Sequence, residues 1–348
     1  MKKSLIALAV LAASGAAMAQ SSVTIYGVAD IWVGSAKTEI NTGDGWVGER
    51  NSLLADGGVS NSRLGFKGVE DLGGGLKALF TLEQGVNLTN GDGGAFSREA
   101  SIGLAGAFGE VKAGKVWNAF DDVSGGAAST FDSDLAPINN VFVSTLLATN
   151  PNSGIRYSTP NFGGFSGAVS FALPGDKGGD YDSASKFTAV SAKYEGGPIY
   201  VGFGYAVADQ AYTEEASLWN EDFDTGLEGA EVKATRLNGS YDFGVAKLLA
   251  SYGQLKISDF DAKTSEYEIG VNVPLAANLA LSGGYAQSKL KVGGATQVKA
   301  SSVGLAVAYS LSKRTTAYAG LNNTDFKDGA GEKFAKSSIY AVGLKHTF

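Results

Sequence analysis

The chain contains no cysteine, one histidine and six prolines among its 348 residues. Without cysteine, disulfide bonds cannot hold the fold together in an oxidising compartment. No stretch after residue 19 approaches the roughly 18 apolar residues that a transmembrane helix needs. The formal net charge of −7 also argues against a nucleic-acid partner, because nucleic-acid-binding proteins present basic surfaces. These absences exclude a disulfide scaffold and a helical membrane anchor.

The N-terminal segment predicts export from the cytoplasm. Lys2 and Lys3 precede an apolar stretch at residues 5–11, and "AMA" at residues 17–19 supplies a small-x-small cleavage site. This pattern is typical of a Sec signal peptide, which is removed after export. We therefore predict a signal peptide at residues 1–19 and one domain at residues 20–348, since the same succession of short strands and glycine turns continues to the end.

Apolar residues alternate with small or polar ones through most of this domain. In "SVGLAVAY", residues 302–309, valine, leucine and tyrosine occupy one face, and serine, glycine and alanine occupy the other. A period of two predicts a β-strand. The second face is too polar for the dry interior of a β-sandwich. An apolar face toward lipid and a polar face toward water instead fit the strands of a transmembrane β-barrel.

The number of strands supports this interpretation. Sixteen strands of about ten residues are predicted, and an even number is typical of bacterial outer-membrane barrels. They are residues 22–35, 58–70, 74–86, 95–106, 108–118, 153–159, 164–173, 185–195, 198–208, 231–242, 245–257, 262–273, 278–290, 297–310, 314–326 and 335–348. Short turns alternate with longer loops, the largest near residues 36–57, 119–152 and 209–230. The predicted fold is all-β, a 16-stranded antiparallel transmembrane barrel.

The last strand ends on Phe348, which shares its phase with Val342 and Leu344. In a closed barrel this strand pairs with the first one and removes both free edges of the sheet. Phe348 is then expected at the periplasmic interface. Three tyrosines are candidate members of the aromatic girdles that mark the membrane–water boundaries: Tyr26, Tyr309 and Tyr318.

Several stretches together resemble the general diffusion porins of Gram-negative bacteria, and the β-proteobacterial branch most of all. They include "SSVTIYGVAD", "SRLGFKGVEDLGGGLKALFTLEQG", "FSREASIGLAGAFGEVKAGK", "GIRYSTPNFGGFSGAVSF" and the final "VGLKHTF". The resemblance implies an outer-membrane homotrimer in which each barrel has its own channel, narrowed by an inward-folded third loop. It also implies contacts with outer-membrane lipid and lipopolysaccharide. The terminal Phe348 resembles the signal read by the outer-membrane assembly machinery.

Charged residues define a candidate constriction of the channel. Strand phase places Arg63 and Lys67 opposite the apolar Leu64 and Phe66, hence toward the lumen. Arg98 shares its phase with Ile102 and Leu104, so its luminal position rests on the resemblance or on a local bulge. The predicted basic wall is Arg63, Arg98, Lys115 and Arg156, with Glu83 also lumen-facing, and the predicted loop acids are Asp121, Asp122, Asp132 and Asp134. The family often has arginine where this chain has Lys115.

We therefore predict a water-filled channel for passive diffusion of ions and small hydrophilic solutes, with arginines facing loop carboxylates at its waist. A solute-specific channel for a sugar, phosphate or organic anion is the alternative. An enzyme is not expected, because the single histidine, His346, lies at the chain end, and no zinc, thiol-redox or phosphate-loop motif is present. We expect neither metal nor cofactor. The preference for anions or cations stays open.

Overall fold

The computed structural model describes residues 22–124, 131, 133–173, 186–209 and 230–348. The predicted signal peptide and the loop acid Asp132 lie outside these residues. Within them, 18 strands form one antiparallel sheet. The strands are β1 (Ser22–Asn41), β2 (Trp46–Val47), β3 (Arg50–Asp56), β4 (Arg63–Gly73), β5 (Leu76–Gly85), β6 (Glu99–Gly106), β7 (Gly109–Lys115), β8 (Gly154–Ser158), β9 (Phe165–Ala172), β10 (Lys186–Gly196), β11 (Ile199–Asp209), β12 (Val232–Asp242), β13 (Lys247–Ile257), β14 (Ala262–Ala276), β15 (Leu279–Val292), β16 (Ala295–Ser310), β17 (Thr315–Asp328) and β18 (Lys333–Thr347).

The sheet closes on itself through its first and last strands. β1 pairs with β18 on one side, from Val28 opposite Thr347 to Ile40 opposite Ala335. The Gly27 and Phe348 backbones exchange two hydrogen bonds, each 3.1 Å long. On its other side, β1 pairs with β4 and then with β3. Because β2 and β3 belong to the connection between β1 and β4, the closed barrel has 16 strands around its circumference, and the predicted fold is confirmed.

One connection differs from its prediction. A loop was expected from residue 36 to residue 57, but β1 continues to Asn41 and β3 returns beside it. Hydrogen bonds between the backbones of β1 and β3 stabilise this extension, and they do not require alternating apolar side chains. Its side chains include the ion pair between Lys37 and Glu39, at 2.7 Å. Because its side chains are polar, the sequence pattern did not predict that β1 continues past the apolar band of the barrel.

The two faces of the sheet have opposite character. Tyr267 and Ile269 of β14 are exposed, the latter at 60%, whereas the intervening Glu266 and Glu268 are buried. The same division between the two faces holds in β13, where the buried Ser251 lies opposite Glu268. We call these the apolar face and the polar face. Burying a carboxylate and exposing an isoleucine reverses the rule for a water-soluble protein, and it fits a barrel with lipid outside and water inside.

Short helical turns lie almost entirely between β7 and β8. They are the 3-10 helices Ala119–Val123, Ser133–Leu135 and Val143–Leu147, the α-helix α1 (Pro137–Val141), and a further 3-10 helix at Ser258–Phe260 after β13. In the part of the chain described by the structure, no helix is long and apolar enough to cross a membrane. The described residues between positions 118 and 150 (118–124, 131 and 133–150), which we call the loop segment, pack against the polar face of β9 to β17.

Candidate functional site

The loop segment begins with a cap that fixes its first turn. The Asn118 side chain accepts a hydrogen bond from the Asp121 N–H at 3.0 Å, as a helix-capping residue does. The same side chain donates to the Leu147 carbonyl at 2.7 Å and joins the two ends of the segment. Phe120, Val143 and Leu147 then pack with small apolar residues of the wall. The segment is therefore a compact unit attached to the barrel.

An ion pair attaches the first turn of the segment to β8. One Arg156 nitrogen lies 2.7 and 2.8 Å from the two Asp122 oxygens, and Ser191 of β10 donates to the same carboxylate at 2.8 Å. Both charged side chains are largely shielded from solvent. Two predicted constriction residues are thus brought together, but as partners in direct contact instead of charges facing each other across water.

A buried cluster on β12 and β14 attaches the last turn of the segment. Arg236 donates to the Ser144 hydroxyl, which in turn contacts the Glu266 carboxylate. Glu266 also accepts the Val143 N–H at 2.8 Å. The Arg236 guanidinium lies over the rings of Phe120 and Phe142. This cluster was not predicted from the sequence, although Glu266 alternates with the apolar Tyr267 and Ile269 along β14.

The middle of the loop segment is held against β1 and β17. The Trp32 indole donates to the Asp134 carboxylate at 3.3 Å, and Leu135 packs with Trp32 and Tyr318. Burial raises the pKa of the Asp134 carboxyl to about 6, with the Asp30 and Asp56 carboxylates adding to the shift and the Trp32 hydrogen bond opposing it. Asp134 therefore faces an indole and other carboxylates, and it is not paired with the predicted basic wall.

Charged side chains meet on the polar face of β4 and β5. Arg98 Nε lies 2.7 Å from one Glu83 oxygen and Arg63 Nε lies 3.8 Å from the other. The Tyr26 hydroxyl donates to Glu83 at 2.9 Å, and the Lys67 ammonium lies 5.0 Å from the centre of the Tyr26 ring. The predicted lumen-facing residues are therefore neighbours. We call Arg63, Lys67, Glu83 and Arg98 the charged wall.

The position of Arg98 resolves a conflict between its phase and its predicted role. Arg98 precedes β6, and its backbone N–H donates to the Glu83 carbonyl at 3.0 Å. Two residues earlier, Phe96 has a positive φ of 48°, which breaks the alternation before the strand begins. The guanidinium also lies 5.2 Å from the Trp117 ring. Strand phase could not place this side chain because it is not yet in the strand.

Lys115 is not joined to the loop acids. Its ammonium donates to the Asn152 side chain at 3.2 Å, and the register sets it opposite Ala100. Lys112, which sequence analysis passed over, shares the polar face with Arg156 and lies 3.2 Å from Glu99. The apolar Val111 and Ala113 on either side of Lys112 were the sequence pattern that could have placed Lys112 on the polar face. The Asp121 backbone belongs to the Asn118 cap.

Two of the three predicted girdle tyrosines are on the other face. Tyr26 and Tyr318 lie on the polar face, where Tyr318 donates to the buried Asp30 carboxylate. Of the three predicted girdle tyrosines, only Tyr309 is exposed on the apolar face. The girdle prediction was wrong for the first two because a hydroxyl buried against a carboxylate needs the polar side of the sheet. In the described residues, no group of three or more histidines, aspartates or glutamates is placed to hold a metal ion.

A closed antiparallel barrel with apolar residues outside and ion pairs inside defines the class of transmembrane β-barrel channels. The sequence profile of Gram-negative porins matches residues 5–329. The chain belongs to this family, and it forms a water-filled channel for passive diffusion across the outer membrane. The general channel is supported over the solute-specific alternative.

Individual relatives agree with the family assignment. The chain is 34% identical over 365 residues to outer membrane porin protein 32 of Delftia acidovorans, covering 99% of this chain and 95% of the relative. It is 31% identical over 364 residues to the major outer membrane protein P.IB of Neisseria lactamica, covering both chains completely. The solved structure of an anion-selective porin from Comamonas acidovorans is similar with a TM-score of 0.76 at 28% identity, covering 94% of this chain and all of that one.

Proposed function

We propose that the loop segment folds into the barrel and forms the constriction of the channel, so that solutes pass between it and the charged wall. The supporting observation is that the segment packs on the polar face of β9 to β17. The charged wall lies on β4 and β5 and just before β6, away from those strands. Water and ions would therefore pass beside Arg63, Lys67 and Arg98.

The ion pairs favour a preference for anions at this constriction. The charged wall has three basic side chains against the single carboxylate of Glu83. The loop acid Asp122 is neutralised by Arg156 at 2.7 Å, so it adds little negative potential. A net positive charge in a narrow pore raises the local concentration of anions. The similar structure from Comamonas acidovorans is described as anion-selective, which agrees with this proposal.

Reversal potentials in planar bilayers under a potassium chloride gradient test the proposal. Arg63→Ala with Arg98→Ala should lower the ratio of chloride to potassium permeability, and Glu83→Gln should raise it. A change of roughly twofold to fivefold per charge is expected, because a unit charge 4–6 Å away contributes up to about 1 kcal/mol in water. Lys313→Ala with Arg314→Ala, in the turn after β16, removes the same charge elsewhere. Equal reversal potentials for all variants would refute the assigned constriction.

We also propose three partners that follow from the family resemblance: two further copies of the chain, the outer-membrane assembly machinery and lipopolysaccharide. Support for a homotrimer comes from an apolar groove on the outer wall, lined by Val33, Leu281, Leu305, Val307, Tyr340 and Val342 among others. Phe348, exposed at 46%, is accessible to an assembly factor. Mass measurement in native detergent micelles tests the trimer. Surface levels of Phe348→Ala, compared with its refolding from urea in detergent, test the assembly signal.

A further inference from the structure

An uncharged side chain, Tyr26, lies among the charged residues of the wall. The strand register sets Tyr26 of β1 directly opposite Gly65 of β4, and Gly65 directly opposite Glu83 of β5. The three residues therefore form one cross-strand row on the polar face. Because Gly65 has no side chain, the Tyr26 side chain can extend across β4. Its hydroxyl donates to Glu83 Oε2 at 2.9 Å.

The Tyr26 ring occupies the space that a side chain at position 65 would need. A Cβ atom on Gly65 would lie 2.3 Å from Tyr26 Cζ and 2.6 Å from the hydroxyl oxygen. Arg63 and Lys67 lie two residues to either side of Gly65, and the Lys67 ammonium is 5.0 Å from the centre of the ring. A cation at this distance is attracted by the face of a tyrosine ring. The ring therefore has a defined position between two basic residues.

The neighbours of Glu83 use its two oxygens unequally. Arg98 Nε donates to Oε1 at 2.7 Å, and the Tyr26 hydroxyl donates to Oε2. Arg63 Nε lies 3.8 Å from the same Oε2, which is too long for a hydrogen bond. Arg63 donates instead from Nη1 to the Asn61 carbonyl at 3.0 Å. One arginine is thus hydrogen-bonded to the carboxylate, whereas the other is not.

We propose that Tyr26 is a positioning residue that sets ion selectivity by keeping Arg63 out of direct contact with Glu83. The Tyr26 hydroxyl satisfies Oε2 without adding charge. More of the positive potential of Arg63 then reaches passing ions, because a guanidinium in hydrogen-bonded contact with a carboxylate is largely neutralised by it. The inference rests on the constriction proposed above and names an uncharged residue that controls it.

The hydroxyl of Tyr26, and not its ring, carries this effect. A phenylalanine ring would keep the contacts with Gly65 and Lys67 but would leave Glu83 Oε2 without the donor. The Glu83 side chain is only 11% exposed, and a shielded carboxylate oxygen without a donor is costly. Arg63 Nε is already near that oxygen, and a shift of about 1 Å would complete the hydrogen bond.

Reversal potentials of the full-length protein in planar bilayers, under a potassium chloride gradient, test this role. Tyr26→Phe removes no charge, yet the ratio of chloride to potassium permeability should fall. We expect a decrease of about 1.5-fold to twofold, smaller than for Arg63→Ala, because the guanidinium stays in the channel. Gly65→Ala should give a similar decrease, since the added methyl group displaces the Tyr26 ring and with it the hydroxyl.

Two control variants make the same chemical changes away from this row. Tyr157→Phe removes a hydroxyl of β8 that donates to the Phe108 carbonyl at 2.7 Å. Gly85→Ala adds a methyl group on β5 where the nearest atom is 3.8 Å away. Both controls should keep the permeability ratio of the unchanged protein. A decrease in the controls equal to that in the test variants would overturn the proposal.

Combined variants separate positioning from packing. In a Glu83→Gln or an Arg63→Ala protein, adding Tyr26→Phe should change the permeability ratio no further, because the ion pair of Arg63 and Glu83 can no longer form. A decrease that persists in both backgrounds would overturn the proposal. A lower unfolding temperature of Tyr26→Phe without any change of the ratio would also overturn it and would assign Tyr26 to packing alone.

Failure of this inference can be told apart from failure of the proposed constriction. If Arg63→Ala and Glu83→Gln shift the permeability ratio but Tyr26→Phe does not, only the role of Tyr26 is refuted. If none of the three shifts it, the constriction is refuted as well. A crystal structure of Tyr26→Phe should show Arg63 Nε within about 3.2 Å of a Glu83 oxygen. An unchanged separation of 3.8 Å would contradict the proposed mechanism.

Discussion

Arg236 on the barrel wall donates a hydrogen bond of 2.6 Å to the Ser144 hydroxyl of the loop segment, 92 positions away in sequence. The guanidinium is fully buried, and its ring contacts with Phe120 and Phe142 are 5.8 and 4.8 Å. Ser144 links it to the Glu266 carboxylate, which also accepts two backbone N–H groups of the segment. A buried cation and a buried carboxylate therefore share one loop residue, and each compensates the other's charge.

Glu266→Gln should release the last turn of the loop segment. Losing one partner of a buried charged pair costs about 3–5 kcal/mol, because the other charge stays buried. We expect larger current noise in single-channel recordings and faster protease cleavage near Val143–Leu147. Glu231→Gln is the matched control, because Glu231 pairs with Lys233 at the barrel surface. If Glu266→Gln showed the noise and cleavage rate of this control, the cluster would not hold the segment.

Gly204 of β11 provides the space in which the first turn of the segment packs. A Cβ atom there would lie 2.4 Å from Val123 Cγ2, closer than real Cβ atoms come, and 3.0 Å from the Phe120 ring, which is tighter than most real contacts. Gly204→Val should therefore displace the turn and lower the unfolding temperature, since overpacking costs typically about 1–3 kcal/mol. If the turn moves toward the charged wall, single-channel conductance falls as well. Gly239→Val on the apolar face of β12, where the nearest atom is 3.3 Å away, is the control. Equal melting curves would contradict the packing argument.

The ion pair of Asp122 and Arg156 should behave as one unit. Asp122→Asn and Arg156→Gln each leave a shielded charge without its partner. The losses of unfolding free energy in the two single variants should therefore sum to more than the loss in the double variant. Interaction energies of about 0.5–3 kcal/mol are typical of such contacts. Denaturant unfolding of the four proteins measures the coupling. The pair of Lys333 and Asp325, both side chains of which are more than a third exposed, serves as the comparison and should show under about 1 kcal/mol. Strict additivity at Asp122 and Arg156 would show that the pair does not attach the loop.

Much of the barrel could be predicted from local patterns, because strand alternation and turn spacing depend on neighbouring residues. Strand phase alone put Arg63 and Lys67 on the same face of β4, where Arg63 lies near Glu83 and Lys67 near the Tyr26 ring. Their role at a constriction stays a prediction. Arg98 was not placed by strand phase, because a positive φ at Phe96 breaks the phase before β6. The partners of the loop acids could not be predicted at all. Asp122 meets Arg156, 34 positions later, and Asp134 meets Trp32, 102 positions earlier.

Lysines on neighbouring strands near one end of β12 to β18 show the same limit, because local sequence patterns do not reveal which charges lie together. Taken alone, each of these lysines is an ordinary polar residue of its own strand, such as the half-buried Lys289 on β15 or Lys299 on β16. Only the register, which sets Lys289 opposite Lys299, reveals a continuous band of charge. Register between two strands depends on turn geometry and on the pattern of the whole sheet. The sequence alone therefore predicted the strands but not which charges they bring together.

Asp134 should make ion selectivity depend on pH. Burial raises the pKa of its carboxyl to about 6, so the group gains a proton as the pH falls from 7 to 5. The folded protein then holds this proton more tightly than the unfolded chain does. The contribution of Asp134 protonation to stability is accordingly greatest below about pH 4 and is lost as the pH rises through about 6.

Protonation of Asp134 also removes one negative charge from the loop segment, so the preference for anions should increase on acidification. Asp134→Asn should show the acidic value at both pH values in reversal-potential measurements, whereas His346→Asn, which removes the single histidine, should keep the change. A pH response that persists in Asp134→Asn would place the titrating group elsewhere.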